Sequence, residues 1–357
     1  MRIIFATPGD LFARTGGYGY DRAVIAALPE FNIEVAHVAL RGSFPFPSQA
    51  EARAAAAAIN AVLAPRDVAL IDGLAYGALP KDAIRAIAAP VLALCHHPLG
   101  LEQGLDAGQA EALLRNEAAA LALAAHVIVT SAHTRRTLIE DFGVSPLAVT
   151  VALPGTAPAP RASGSGAMGS GGGTCLLAVG SIIARKGFDI LVEALAGLTD
   201  LDWRLRLVGG AHHAPRTAEA LARLIEARGL GARIDWLGEV SAEALDGVYD
   251  SSDIFVSSSL YEGYGMALAE ALARGLAVVT TTGGACADTA PDGAALKVAP
   301  GDVDALRAAL RRLIQDEDLR RDLSEASWRA GQRLPSWRDA ARTIGRAARA
   351  IAPAMAL

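Results

Sequence analysis

Two glutamates stand eight positions apart in the stretch LYEGYGMALAEALARG, Glu262 among small residues and Glu270 within an apolar run. The apolar run predicts a helix, with Glu270 about two turns beyond Glu262. A solvated Glu270 could pair with Arg274, four positions on, and contribute about 0.2–0.5 kcal/mol. That pairing leaves Glu262 unexplained, because Glu262 precedes the helix at the end of a predicted strand. The pair of carboxylates therefore favours a ligand-binding role.

Arg185 and Lys186 lie in the stretch GSIIARKG, between a predicted strand and an amphipathic helix. The amide groups at a helix N-terminus attract anions, and two cations beside them strengthen that attraction. The chain has only two other lysines, Lys81 and Lys297, so a lysine at position 186 hints at a need for a compact ammonium group. A solvated charge pair on a loop is the alternative. The junction predicts a diphosphate-binding site.

A predicted strand also ends at CHHPLGLE, which places Cys95, His96 and His97 in succession. One alternative is a core cysteine followed by two histidines at the edge of the sheet. The other is that His96 or His97 contacts a reacting group in the cleft between two domains. A Cys-His nucleophile pair is disfavoured, because adjacent strand residues point to opposite faces.

Several glycines follow other predicted strands and would let the backbone approach a ligand closely. Gly209 and Gly210 end one strand, while Gly238, Glu239 and Val240 end another. In the first half, a loop after the first strand contains Gly16, Gly17 and Gly19, before a helix predicted from about residue 18 to residue 28. Its length and its tyrosines argue against a tight pyrophosphate turn.

The elements that must position these residues are short apolar strands that alternate with helices. This alternation predicts parallel sheets covered on both faces, in a doubly wound α/β fold. The predicted organisation is an N-terminal Rossmann-like domain at 1–157, a Gly-, Ser- and Pro-rich linker at 158–173, and a second Rossmann-like domain at 174–335. A helix at 336–357 is expected to pack back on the first domain. The natural ligand site is the cleft between the domains.

Other motifs have ordinary explanations. Gly164-x-Gly166-x-x-Gly169 matches a dinucleotide fingerprint but lies in the linker, without the strand and helix that give the pattern its meaning. An acidic run at 316–318 predicts a solvent-exposed helix start. Asp250 is predicted to end a helix, and Asp253 is predicted to begin a strand. No cluster has convincing metal-ligand spacing.

Composition excludes several classes of protein. The net charge of −5 argues against a nucleic-acid surface. The three cysteines lack a CxxC spacing and indicate free thiols in a reducing compartment. No apolar run reaches the ~18 residues of a membrane span, and the N-terminus does not resemble a signal peptide. The expected location is the cytoplasm, and peripheral contact with a membrane stays open.

The second half, through GSIIARKG, LVGG and the stretch from WLGEVSAEAL to VVTTTGG, resembles the retaining GT-B glycosyltransferases that use nucleotide sugars. The closest group is the fourth family, marked by a Glu-x7-Glu element. The first half agrees through TGGYGYDRAV and VTSAHTRRTLIEDFGVSPLAVTVALPGT. ALPGT stands where the family often has an Asn-Gly turn.

The resemblance implies a role for each matching residue. Arg185 and Lys186 would bind the donor diphosphate, Glu262 the hydroxyls of the donor sugar, and Glu270 the ribose diol. His96 or His97 would match a histidine near the sugar. The other implied donor contacts are Gly17, Gly180, Gly209, the backbone at Glu239 and Val240, and the amides of Tyr264, Gly265 and Met266.

The implied reaction moves a hexose from a nucleotide diphosphate sugar, with UDP- and GDP-sugars favoured, to a glycan, lipid or small-molecule acceptor. No cofactor and no metal are expected, because fixed cations and amides can stabilise the leaving group. The alternatives are a nucleotide-sugar epimerase, a phosphorylase or an inactive transferase-like subunit. A Rossmann oxidoreductase is disfavoured because the dinucleotide fingerprint lies in the linker.

Overall fold

The computed structural model describes residues 1–168 and 173–353, and the chain divides into two compact units. Unit 1 comprises Met1–Gly155 and Pro335–Leu357, and unit 2 comprises Thr156–Leu334. The described residues of each unit form a six-stranded sheet whose strand pairs are all parallel, which confirms the predicted doubly wound α/β class.

Unit 1 is built on a sheet whose central strands are buried along their whole length, as near-continuous apolar runs predict. Its strands are β1 Arg2–Pro8, β2 Glu34–Leu40, β3 Val68–Asp72, β4 Val91–Cys95, β5 His126–Val129 and β6 Val149–Val151, in the order β2-β1-β3-β4-β5-β6. The helices that cover it are α1 Gly16–Ala27, α2 Gln49–Asn60, α3 Gly73–Tyr76, α4 Lys81–Arg85, α5 Ala107–Leu121 and α6 Ala132–Glu140.

Unit 2 repeats this plan. Its strands are β7 Thr174–Val179, β8 Trp203–Val208, β9 Ile234–Gly238, β10 Ile254–Ser257, β11 Ala277–Thr281 and β12 Leu296–Val298, in the order β12-β11-β10-β7-β8-β9. Its helices are α7 Phe188–Ala196, α8 Pro215–Ala227, α9 Ala242–Asp250, α10 Met266–Ala273, α11 Cys286–Thr289, α12 Val303–Gln315 and α13 Glu317–Gly331. Within the described parts of the chain, no helix combines the length and the apolarity needed to cross a membrane.

The last helix, α14 Trp337–Ile351, is part of unit 1. Its apolar side, which includes Ala341, Ile344 and Ala348, lies in one core cluster with Phe5 of β1 and Val24 of α1. A capping box at Ser336 satisfies the amides that begin the helix. The chain therefore returns to its first unit after it completes the second.

Part of the Pro-, Gly- and Ser-rich segment is hydrogen-bonded within unit 2. The amide of Ala162 donates to the carbonyl of Arg274 at 2.9 Å, and the amide of Gly164 donates to the carbonyl of Asp250 at 2.8 Å. Ser165 N donates to Asp253 Oδ1 at 3.0 Å. Gly169, the third glycine of the fingerprint, lies outside the described residues.

The acidic run at 316–318 begins a helix, as predicted. Asp316 is the N-cap of α13 and accepts a hydrogen bond of 2.9 Å from Leu319 N. The other predicted boundaries are also confirmed, because α9 ends at Asp250 and β10 begins directly after Asp253. Cys95, Cys175 and Cys286 are buried free thiols.

Candidate functional site

Two loops of unit 2 meet at the carboxyl ends of β7 and β10, which are neighbours in the sheet. The chain continues from β7 towards one edge of the sheet and from β10 towards the other, so this is a topological switch point, where such sheets bind ligands. The β7 loop carries the cations in a 3₁₀ turn, Ala184–Lys186. Leu260 N donates to Arg185 O at 2.8 Å, and this bond fastens the β10 loop to it.

Glu262, on the β10 loop, lies between both cations. Lys186 Nζ donates to Oε1 at 2.6 Å, and Arg185 Nη1 donates to Oε2 at 3.2 Å. Ser259 Oγ donates a further bond of 2.6 Å to Oε1. Arg185 Nη1 also reaches the carbonyl of Tyr261 at 2.8 Å. The structure thus brings together residues that lie 76 and 77 positions apart in the chain.

Glu262 is an ionised carboxylate held by two cations. Burial would by itself raise the pKa of Glu262, but Lys186 and Arg185 outweigh that effect and lower the pKa to about 2. Breaking a buried ion pair is costly, so the carboxylate holds both cations in place at the switch point.

Three glycines allow the backbone to pack closely around the cationic loop. A Cβ added at Gly187, whose φ is +59°, would lie 2.4 Å from the carbonyl oxygen of Ser258. A Cβ added at Gly209 would lie 1.8 Å from the carbonyl oxygen of Gly180, and one at Gly180 would lie 2.9 Å from Cε of Lys186. The predicted contacts Gly180 and Gly209 therefore adjoin each other and the cationic loop.

The helix α10 begins four residues after Glu262. Its N-cap is Gly265, with φ +92° and no side chain to cap the first turn. Uncapped amides at a helix start attract anions and ligand oxygens. Tyr264, just before the helix, is largely buried, and its carbonyl accepts a hydrogen bond from Thr289. Met266 is the first residue of the helix.

Glu270 is held by a hydrogen bond that the sequence did not reveal. Tyr249 Oη donates to Glu270 Oε2 at 2.9 Å. Burial raises the pKa of Glu270, and the bond from Tyr249 opposes that rise. Arg274 does not pair with the Glu270 carboxylate: its side chain pairs with Asp246, and its guanidinium lies 4.6 Å from the Tyr249 ring centre. The alternative of a solvated pair between Glu270 and Arg274 is therefore wrong.

Glu239 follows β9 and lies against the glycines that follow β8. A Cβ added at Gly210 would be 2.2 Å from Glu239 Oε1, so a larger residue there would displace the carboxylate. His212 Nδ1 is 3.1 Å from the same oxygen. Val240 is packed at the edge of an apolar cluster of unit 2. His212 is thus a neighbour of the backbone at Glu239 and Val240 that was predicted to contact the donor.

In unit 1 the two candidate histidines have different partners. His97 Nε2 lies 3.0 Å from Glu102 Oε2. His96 Nε2 lies 3.2 Å from Asp72 Oδ2 and 3.4 Å from Asp21 Oδ1. Sequence reasoning missed both aspartates, because they lie on other elements, Asp21 in α1 and Asp72 at the end of β3. The signal that could have found Asp72 is its place at the end of a strand next to β4.

Gly17 packs against the His96 ring. A Cβ added at Gly17 would lie 3.5 Å from His96 Cδ2. The helix α1 begins at Gly16, earlier than the predicted start at about residue 18, because the Thr15 side chain accepts a bond from Tyr18 N and caps it. The glycines at 16, 17 and 19 are therefore helical residues, not loop residues.

Asp21, Asp72 and His96 form a compact group, the His96 cluster, in which one carboxylate oxygen of each aspartate and one imidazole nitrogen all lie within 4.8 Å of one another. Burial would lower the pKa of His96, but Asp21 and Asp72 raise it to about 10. Burial also raises the pKa of Asp21, to about 6.

Part of the chain matches a known protein family. Residues 170–329 match the family described as glycosyl transferases group 1. The chain is 30% identical over 172 residues to a mannosylfructose-phosphate synthase of Agrobacterium fabrum, a match that covers 46% of this chain and 38% of that protein. The chain therefore matches well under two thirds of that relative's length.

Solved structures resemble the whole chain. Sucrose-phosphate synthase from Thermosynechococcus elongatus has a TM-score of 0.83 and 23% identity, with 98% of each chain covered. HepE of Anabaena, solved in complex with UDP-glucose, has a TM-score of 0.77 and 15% identity, with 98% of this chain and 100% of that chain covered. At such identities the likeness concerns the fold, and it confirms the predicted GT-B fold class.

Proposed function

We propose that this protein is a retaining glycosyltransferase that uses a nucleotide diphosphate sugar, because residues 170–329 match the family described as glycosyl transferases group 1. The observation that carries the proposal is Glu262, held between Lys186 and Arg185 at the switch point of unit 2. A carboxylate can orient sugar hydroxyls, and the two cations beside it suit a diphosphate. Both groups are needed at one end of a nucleotide sugar.

The reaction breaks the bond between the anomeric carbon and the diphosphate oxygen. The nucleoside diphosphate leaves with the electron pair, and Arg185 and Lys186 stabilise its growing charge. The acceptor oxygen bonds to the anomeric carbon on the same face, and its proton passes to the departing phosphate oxygen. Glu262 positions the sugar, whose transition state has oxocarbenium character.

The rest of the donor is assigned to neighbouring groups. Glu270 binds the ribose diol, and the backbone at Glu239 and Val240 meets the base. The uncapped amides at Gly265 and Met266 contact the sugar and phosphate. In unit 1, His96 contributes a contact to the sugar. We favour UDP- and GDP-sugars as donors, and the UDP-glucose complex of HepE supports testing UDP-glucose first.

The reaction is proposed to need no metal. Arg185 and Lys186 can do the electrostatic work that a divalent ion does in other sugar transferases. Activity should persist in excess chelator. Activity that is lost in chelator and restored only by Mg²⁺ or Mn²⁺ would contradict this part of the proposal.

The acceptor class is a glycan, a lipid or a small molecule. The names of two similar proteins, mannosylfructose-phosphate synthase and sucrose-phosphate synthase, both describe phosphorylated products. Hexose phosphates therefore belong in the first acceptor panel, beside free sugars and glycolipids.

The experiment incubates the full chain with UDP- and GDP-hexoses and the acceptor panel. Free nucleoside diphosphate is quantified, and proton NMR reads the anomeric configuration of the product. We expect release that depends on an acceptor, with the donor's configuration retained, and a strong loss in Lys186→Ala but not in Lys297→Ala. Inverted product would contradict the retaining mechanism, and epimer formed without acceptor would favour an epimerase.

A further inference from the structure

The His96 cluster of unit 1 contains buried polar atoms without ordinary hydrogen bonds. Among the described residues, both carboxylate oxygens of Asp21 and Nε2 of His96 are buried and lack a hydrogen-bond partner of regular geometry. The Asp21 side chain is fully buried, and Asp72 is 3% exposed. An ionised carboxylate in such surroundings requires a nearby positive charge.

The distances show where that charge can reside. Nε2 of His96 lies 3.2 Å from one carboxylate and 3.4 Å from the other. These separations are longer than the ~2.8 Å of a single charge-assisted bond, as expected when one N–H is shared between two acceptors. A neutral imidazole would leave two buried negative charges together, whereas an imidazolium reduces the net charge to −1.

We propose that Asp21 and Asp72 are positioning residues that hold His96 as an imidazolium, with Nε2–H shared between them and Nδ1–H left to donate to an oxygen of the donor sugar. This inference rests on the proposed function for the identity of the ligand, but not for the state of the ring. The His96 side chain is 19% exposed, so its outer edge is accessible. Among the described residues, the polar contacts of His96 involve Nε2 and the backbone carbonyl oxygen, and none involves Nδ1.

Neighbouring groups fix the ring. Tyr20 meets it edge-on, with ring centres 5.2 Å apart, and Tyr20 Oη donates to Ala152 O at 3.0 Å. Gly17 lies beside the ring, where an added Cβ would be 3.5 Å from Cδ2. The further titratable and charged groups near the cluster are Tyr18 and Arg22 of α1, Asp10 of the preceding loop, and Cys95 of β4. Arg22 donates to the carbonyls of Leu11 and Ala13, and burial raises the pKa values of Tyr18 and Cys95.

Other histidines of the same unit provide an internal contrast. His37 Nε2 lies 2.8 Å from Thr7 Oγ1, and His126 Nε2 lies 2.8 Å from Thr150 Oγ1. Burial lowers the pKa of each, and no carboxylate opposes it. These two rings should be neutral at pH 7.5, where His96 is charged.

The direct test is NMR titration of the full chain labelled with ¹⁵N in histidine, with the His96 signal assigned by its absence in His96→Gln. We expect His96 to stay protonated on both nitrogens to pH 9, while His37 and His126 are neutral above pH 7. In Asp21→Asn and in Asp72→Asn, the His96 pKa should fall by at least one unit. Asp67→Asn is the matched control, a buried aspartate of unit 1 that pairs with Arg2 instead.

Kinetics then test the positioning role. The wild type should show no alkaline loss of kcat/KM below pH 9, whereas the Asp21 and Asp72 variants should gain an alkaline limb between pH 6 and 9, with at least a tenfold loss at pH 8.5. This sign follows because the imidazolium is lost as pH rises through the lowered pKa. A fall in activity that does not depend on pH would indicate a purely structural role.

Three results would overturn the proposal. One is a wild-type His96 that titrates below pH 7.5. Another is an unchanged His96 pKa in folded Asp21→Asn and Asp72→Asn variants. A third is tight binding of Zn²⁺ or Mn²⁺ that Asp21→Asn abolishes, since the cluster would then be a metal site. The NMR titration does not depend on donor binding. Failure of this inference can therefore be told apart from failure of the proposed function.

Discussion

The Tyr249 hydroxyl lies 2.9 Å from Oε2 of Glu270 and donates a hydrogen bond to it. Tyr249 is fully buried at the end of α9, and Glu270 lies within α10. The bond therefore links two helices of unit 2 and fixes the plane of the carboxylate. A carboxylate fixed in this way loses less side-chain entropy when it binds a ligand.

Tyr249→Phe should weaken donor binding about tenfold, because a hydrogen bond to a charged group contributes ~1.5–3 kcal/mol and 1.4 kcal/mol corresponds to a factor of ten. Isothermal titration with the donor measures this effect. Tyr76→Phe is the matched control, because Tyr76 Oη donates a buried bond of 2.7 Å to Ala120 O in unit 1. Equal effects of the two substitutions would remove Tyr249 from the donor site.

Donor affinity should fall as the pH is lowered, because Glu270 becomes protonated. Burial raises the pKa of this carboxyl, and the ionised form is the one that accepts hydrogen bonds from a diol. Affinity is therefore present above that pKa and lost as pH falls through it. Tyr249→Phe removes a bond that lowers the pKa, so the acid limb should move to higher pH. A limb that does not move in titrations from pH 4.5 to 8 would count against Glu270 as the titrating group.

Lys186→Ala should reduce turnover more than donor affinity, because negative charge grows on the leaving group in the transition state. We expect kcat to fall ~100-fold or more, the size seen when one stabilising donor is removed from a charged transition state. Steady-state kinetics separate kcat from the donor KM. Lys297→Ala removes a lysine that pairs with Asp292 in the same unit, and it should change neither. A change in KM alone for Lys186→Ala would contradict the assigned role.

Gly187→Ala should lower the free energy of unfolding of unit 2 by more than the cost of a left-handed backbone alone. Both Gly187, with φ +59°, and Gly229, with φ +66°, have left-handed backbones, which cost other residues ~1–2 kcal/mol. A Cβ at Gly187 would also meet the Ser258 carbonyl, whereas a Cβ at Gly229 would meet no described atom within 4 Å. Urea unfolding of Gly187→Ala and Gly229→Ala compares the two costs. Equal losses would show that the loops tolerate separation.

The sequence predicts the sheets well because their strands are buried on both faces. Runs such as VALI in β3 and AVV in β11 are apolar, and both strands are buried along their whole length. The residues of the cationic group are also predictable, since each follows a strand. Their mutual bonds are not, because Lys186 and Glu262 meet through strand order, which local patterns do not encode.

The Asp21, Asp72 and His96 cluster shows the same limit more plainly. Each member follows or adjoins a different strand, so no local spacing signals the cluster. It forms because β3 lies between β1 and β4 in the sheet. The hydrogen bonds at the beginning of the linker could not be predicted for a related reason. The composition of the linker indicates flexibility, yet the amides of Ala162 and Gly164 donate to carbonyl groups in unit 2.

The most direct test of the central claim is a thermal-unfolding panel of the full chain with UDP-, GDP-, ADP- and dTDP-sugars, compared between the wild type and Glu270→Ala. A donor at a hundred times its Kd should add about 2.7 kcal/mol of stability. We predict a clear rise in Tm with at least one nucleotide sugar for the wild type, and a much smaller rise for Glu270→Ala. No rise with any of the four classes would contradict the account.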